Sequence, residues 1–182
     1  TTWNVDLVLK LYKSWPSNEN IDISCLSMKL ASMLALVSGQ RVQTLAAILI
    51  SEIKIESKVV RIFVSKQLKT SKPGANQPCI HIPRFHSNSK LCVANTLILY
   101  LEKTVEIRST NNLRNLFITT RPPYKCISSQ TLSLWIVNIL SKAKVDTSLY
   151  KGHSFRHAST SKAMSLGVNV NTIYQNAGWS SG

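Results

Sequence analysis

Leu26, Leu30, Met33, Leu34 and Val37 recur at helical spacing, and Gly39 closes the run. Apolar residues at every third or fourth position predict a helix that must bury one face. Glycine supplies its stop, because a residue without a Cβ takes the left-handed turn after a helix at least steric cost. Arg41 then falls where the chain turns, ahead of a short helix expected over residues 44–49. A side chain held at such a junction can point into a cleft.

The remaining periodicity is also mostly helical. Val5, Leu7, Val8, Leu11 and Tyr12 predict a short helix ended by Trp15-Pro16-Ser17-Asn18, and Leu91, Ala94, Leu97, Ile98, Leu101 and Val105 form another inward stripe. Ser128 or Ser129 can cap a helix whose Leu132, Trp135, Ile136, Ile139 and Leu140 face the core. Residues 58–65 and 79–83, rich in Val, Ile and Phe, read instead as strands joined by a long hairpin loop over residues 68–78. Phe117-Ile118 is a candidate short strand before the Arg121-Pro122-Pro123 break. A helix is expected over residues 153–166, stopped by Gly167, and a last one begins at Asn169 or Asn171 and ends near Gly178. The fold class expected is therefore mainly α with a small antiparallel β-sheet, an α+β arrangement in one domain of 182 residues whose 44% hydrophobic content supports a core.

Charge narrows the partner. The chain carries 22 Lys+Arg against 8 Asp+Glu, a net +14. Lys58, Arg61, Lys66, Lys69, Lys72, Arg84 and Lys90 share a stretch without a single acid, and no acid follows Asp146. A solvated surface would interleave carboxylates among such residues, so a polyanion is the expected partner. The basic residues do not line an amphipathic helix beside a lipid-facing stripe, which excludes a membrane surface, and no apolar run approaches a membrane span. Cys25, Cys79, Cys92 and Cys126 are widely spaced without a C-x-x-C pair, pointing to reduced, mostly buried thiols in an intracellular protein. His153 and His157 have metal-compatible spacing but no neighbouring cysteine or carboxylate to complete a tetrahedral set, so no metal is expected.

The chemistry concentrates near the C-terminus, in Lys151-Gly152-His153-Ser154-Phe155-Arg156-His157-Ala158 and Ala177-Gly178-Trp179-Ser180-Ser181. Arg156 offers a planar fork of donors to two phosphate oxygens. His153, three residues earlier on the same expected helix face, exchanges protons near neutral pH. The H-x-x-R pattern is common by itself, and a capping His beside a surface Arg is its bland reading. The second arginine, in Ser38-Gly39-Gln40-Arg41, changes the weight of that pattern.

A helix ending at glycine with an arginine just beyond, together with the distal H-x-x-R and the Gly178-Trp179 pair, resembles the tyrosine recombinase (phage integrase) family from about Leu26 to Gly182. The C-terminal block looks most like recombinases carried by eukaryotic mobile elements such as Cryptons. The resemblance implies a catalytic domain that cleaves and rejoins double-stranded DNA through a 3′-phosphotyrosyl bond, as a synaptic tetramer, without ATP, metal or small-molecule cofactor, and in the nucleus if the source is eukaryotic. It assigns Arg41 and Arg156 to the nonbridging oxygens, His153 to proton exchange with the attacking tyrosine, and Trp179 to an indole N–H donor. It also places a lysine general acid on the β-hairpin. Lys69, in Leu68-Lys69-Thr70, fits best, with Lys66 and Lys72 as close rivals. Lys66, Lys72, Arg84 and Lys151 are candidate DNA-backbone contacts.

Two departures from the family pattern stand out. Thr44 occupies the position where many members carry an acid three residues beyond the first arginine, which puts local support in doubt. No tyrosine follows Trp179, and Tyr150 and Tyr174 lie on its wrong side. The chain is accordingly expected to be a domain cut before its nucleophile helix and without an N-terminal core-binding domain, binding DNA but forming no adduct. A domesticated, non-catalytic DNA-binding remnant and a type I-B topoisomerase-like enzyme are the alternatives.

Overall fold

A computed structural model describes residues 2–64, 79–85, 88–151 and 154. Five α-helices fall among them: α1 (Val5–Ser14), α2 (Ile23–Ser38), α3 (Val42–Ala46), α4 (Val93–Asn111) and α5 (Ser129–Lys142). Three strands, β1 (Ile53–Ile55), β2 (Val59–Phe63) and β3 (Cys79–Pro83), form one antiparallel sheet in the order β1-β2-β3. The expected loop over residues 68–78 and the two expected C-terminal helices lie outside the described residues.

Helix α2 runs through the middle of the core. Every residue from Leu26 to Ala35 is buried, because α3, α4, α5 and β3 all pack against this helix. Each fully buried leucine there contributes about 1.5–3 kcal/mol. The serines in the helix cost little, since each returns its hydroxyl proton to a carbonyl one turn back: Ser27 to Ile23 at 2.6 Å, Ser32 to Met28 at 3.0 Å and Ser38 to Leu34 at 2.5 Å.

Lys29 is the harder case. It is fully buried, its Nζ donates to Asn18 Oδ1 at 2.7 Å, and the ammonium lies 5.3 Å from the centroid of the Tyr12 ring. Asn18 in turn donates to Thr96 Oγ1 at 3.1 Å, so one amide side chain links the 3-10 turn Asn18–Asn20 to α2 and α4. Burial still disfavours the charge and pushes the ammonium down to about 8.

The sheet follows its alternation. Val60 and Ile62 of β2 face the core opposite Ile82 and Ile80 of β3. β1 was not anticipated; three residues, Ile-Lys-Ile, are too short to show a period, and only the pairing of Ile53 with Ile62 and Ile55 with Val60 defines the strand. Helix α3 starts at Val42 and ends at Ala46 instead of covering 44–49, because Leu49 is already extended ahead of the turn Ile50–Glu52.

Helix α4 keeps part of the expected inward stripe, with Ala94 and Leu97 buried and Leu91, Ile98 and Leu101 packed against the core, but its C-terminal half departs from it. Val105 is 59% exposed, and the buried residues are Val93, Ala94, Thr96, Leu97, Tyr100, Thr104 and Arg108. Polar residues join this stripe because their groups are satisfied there. Arg108 donates through Nε to Thr104 Oγ1 at 2.9 Å, through its two terminal nitrogens to the Asn115 and Leu116 carbonyls, and lies 5.4 Å from the Tyr100 ring centroid. Val37 is likewise solvent-facing. Phe117-Ile118 makes a single bridge, Ile118 to Cys126, and not a strand. All four cysteines are free; Cys92 is buried and the other three only half-buried, fewer buried thiols than expected.

Two outcomes test this core. Between about pH 8 and 10.5 the unfolded chain keeps a proton on Lys29 that the folded chain has released, so Lys29 makes the fold more stable as pH rises through that window. Urea denaturation should show wild type gaining on Lys29→Met across that range; parallel curves would remove the charge cost assigned to Lys29. Arg108→Leu should cost about 3 kcal/mol in the same assay, because it strands the buried Leu116 carbonyl and the half-buried Asn115 carbonyl.

Candidate functional site

The turn that carries Arg41 is determined on both sides. Gly39 sits at φ 61° and ψ 15°, and its N–H reaches the Ala35 carbonyl at 3.1 Å. A side chain at that left-handed position would cost about 1 kcal/mol. The Ser38 hydroxyl, already donating to Leu34, accepts the Gln40 N–H at 3.2 Å. Arg41 itself is extended (φ −70°, ψ 152°) and its carbonyl accepts the Leu45 N–H at 3.1 Å, opening α3. Thr44, Leu45 and Ala46 are buried, and α3 packs on α2 and α5. The backbone of Arg41 is thus anchored to the core while its side chain stays exposed. An exposed guanidinium on such a backbone can donate to an external anion.

Support for this turn does not come from position 44, where Thr44 is simply buried. The buried carboxylate of this region is Glu52, 8% exposed, whose Oε1 accepts the Leu49 N–H at 3.1 Å and holds the turn Ile50–Glu52 after α3. The same segment is stitched to the chain following α4: Asn115 Nδ2 to the Ala46 carbonyl at 3.2 Å, the Leu116 N–H to Ile48 at 2.9 Å and the Ile50 N–H to Arg114 at 2.8 Å. Sequence reasoning missed Glu52. Its signal was an acid set between Ile50 and Ile53 in a chain with only 8 acids.

The outer face of the sheet is basic. Lys54 pairs across with Arg61, and Arg61 with His81, so three nitrogenous side chains form one row. Lys54 Nζ lies 5.3 Å from the Phe63 ring centroid, and Arg61 makes a half-exposed ion pair with Glu56 at 3.7 Å. Arg84, a candidate DNA contact, directs Nε and a terminal nitrogen to the Glu56 carbonyl at 3.3 and 3.1 Å. Two of its donors are therefore engaged in closing the β1–β2 turn, and its remaining N–H groups are what a phosphate could meet.

Lys151 is exposed, and its carbonyl accepts both the Ser154 N–H at 2.8 Å and the Ser154 hydroxyl at 2.6 Å. The Ser154 Oγ also receives the indole N–H of Trp3 at 3.0 Å. Lys66, Lys69, Lys72, His153, Arg156 and Trp179 lie outside the described residues. Of the nine site residues expected from the sequence, Arg41, Arg84 and Lys151 are the ones the structure describes.

Two tyrosines are disqualified as nucleophiles by their surroundings. Tyr12 is fully buried against Ser32, and burial drives its phenol above its ordinary value. Tyr100 is fully buried too, accepts the Ile118 N–H at 3.3 Å and is shifted upward for the same reason. Among the described residues no three His, Cys, Asp or Glu side chains gather in a way that could hold a metal ion, and no helix is long and apolar enough to cross a membrane.

Solved structures share this architecture. XerH site-specific recombinase bound to its difH substrate in a pre-cleavage complex matches with a TM-score of 0.72 at 14% identity, over 100% of this chain and 47% of that one. The lambda integrase catalytic core matches with a TM-score of 0.58 at 20% identity, over 98% and 91%. A lambda integrase tetramer bound to a Holliday junction gives 0.56 at 20%, over 100% and 47%. The chain thus spans about half the length of the recombinase structures it matches first. Among curated proteins none matches it. At these identities the likeness is one of fold, and the fold is that of the tyrosine recombinase catalytic domain. The phage integrase family model matches residues 9–182, all but the first eight residues, and the chain belongs to that family.

Proposed function

We propose that this domain binds double-stranded DNA and supplies the phosphate cradle of a site-specific recombinase that cuts and rejoins strands through a 3′-phosphotyrosyl bond. The observation that carries the reading is Arg41, exposed on a turn whose neighbours are buried and hydrogen-bonded. Arg41 and Arg156 donate to the nonbridging oxygens as they gain charge. The tyrosine oxygen attacks phosphorus while the bond to the 5′ oxygen breaks, and the departing oxygen takes a proton from a hairpin lysine, Lys69 or one of its rivals Lys66 and Lys72. His153 exchanges the tyrosine proton, and the Trp179 indole donates to a nonbridging oxygen. The bond energy stays in the phosphotyrosine, so the cycle asks for no metal or ATP. Lys66, Lys72, Arg84 and Lys151, together with the row Lys54, Arg61 and His81, serve as the DNA-backbone surface.

The nucleophile in this reading is a tyrosine downstream of Trp179 in the protein that carries the domain, and a core-binding domain completes the clamp on the other side of the DNA. Assembly on DNA as a tetramer is proposed by analogy with the integrase tetramer on its Holliday junction. The block from Gly152 to Ala163, with Ala177 to Ser181, supports kinship with mobile-element recombinases such as Cryptons, and with it a nuclear site of action.

Fluorescence anisotropy on a duplex should show a log–log salt slope of about −0.9 for each phosphate neutralised. A flat response would remove the basic surface. With a protein that includes the downstream tyrosine, a nicked suicide substrate should trap a covalent adduct. Arg41→Ala should lower its rate by about 10²–10³ while duplex affinity changes far less. DNA binding without any adduct would leave the domesticated DNA-binding module as the correct reading.

A further inference from the structure

Trp3 precedes α1 and is 5% exposed, although Thr2 and Asn4 on either side are exposed. An indole has one polar atom, the Nε1–H, and a buried one must find an acceptor. It finds the Ser154 hydroxyl oxygen at 3.0 Å, 151 residues away in sequence. Ser154 is itself buried and gives its hydroxyl proton to the Lys151 carbonyl at 2.6 Å, while its backbone N–H goes to the same carbonyl at 2.8 Å. The serine therefore has its proton committed on one side and its lone pairs turned to the indole on the other. Three hydrogen bonds hold the two residues, Lys151 and Ser154, that bracket Gly152 and His153, two positions before Arg156.

We propose that Trp3 is a positioning residue for the H-x-x-R segment: through Ser154 it sets where the backbone beside His153 stands relative to the core. The inference rests on the recombinase reading of His153. Trp3 precedes residues 9–182, the span the family model matches, whereas Ser154 lies within it. The tether means that the residues leading into α1 bear directly on the phosphate-binding segment.

The test compares Trp3→Phe, Ser154→Ala, Ser154→Thr and the Trp3→Phe/Ser154→Ala double variant of the 182-residue chain, following the His153 imidazole by NMR with pH and with added duplex DNA. Trp3→Phe and Ser154→Ala are expected to move the His153 titration midpoint by more than about 0.3 pH unit. His81, on β3, should stay in place, the double variant should move His153 no further than either single one, and Ser154→Thr should restore the wild-type midpoint. Should Trp3→Phe fail to fold, Ser154→Ala, which leaves the indole in place, carries the comparison. An unmoved His153 in folded variants overturns the tether, whether or not melting temperature falls. Failure of wild-type His153 to respond to duplex would instead overturn its assignment to phosphate, a result separable from the first.

Discussion

Burial of α2 on all sides is the constraint from which the rest of the structure follows. A helix whose residues from Leu26 to Ala35 are all removed from water has no free face, so every neighbouring element is placed by what it must cover. α4 and α5 close two flanks, α3 closes its end, and β3 brings the sheet against it. The Gly39 turn then joins this buried helix to Arg41.

Polar groups inside this core act as bolts between segments distant in sequence. Lys29 and Asn18 tie the turn after α1 to α2 and α4, and Arg108 gathers the backbone after α4 so that Asn115 and Leu116 can reach Ala46 and Ile48. Glu52 completes the series at Leu49. Three buried charged side chains, Lys29, Glu52 and Arg108, thus hydrogen-bond within the fold. Each is tolerated because its hydrogen bonds are made inside the fold; burial without them would cost more than the packing returns.

The helices were legible wherever apolar periodicity met a clear stop. Leu26 to Gly39 announced α2 and its left-handed cap, and Ser128 announced α5 by accepting the Thr131 N–H at 3.2 Å. Legibility failed where a residue's role depended on a remote partner. Val105 reads like core by spacing, yet Tyr100 and Arg108 take the inward face because Ile118, Asn115 and Leu116 wait there with groups to satisfy. β1 exists only through β2. In the candidate site, Arg41 was visible as an arginine beyond a helix-ending glycine, whereas Glu52 and the Trp3–Ser154 contact were not, since neither has a local pattern.

By itself the sequence determined the fold class and the excess of positive charge, because these depend on composition and on spacing within a helix turn. Tertiary structure alone decided that Tyr100, Thr104 and Arg108 join the core face of α4, that Glu52 is buried against Leu49, and that Trp3 is hydrogen-bonded to Ser154. The physical reason is the same in each case. A buried donor or acceptor must be satisfied, and its partner is chosen by proximity in the folded chain, which local sequence does not encode.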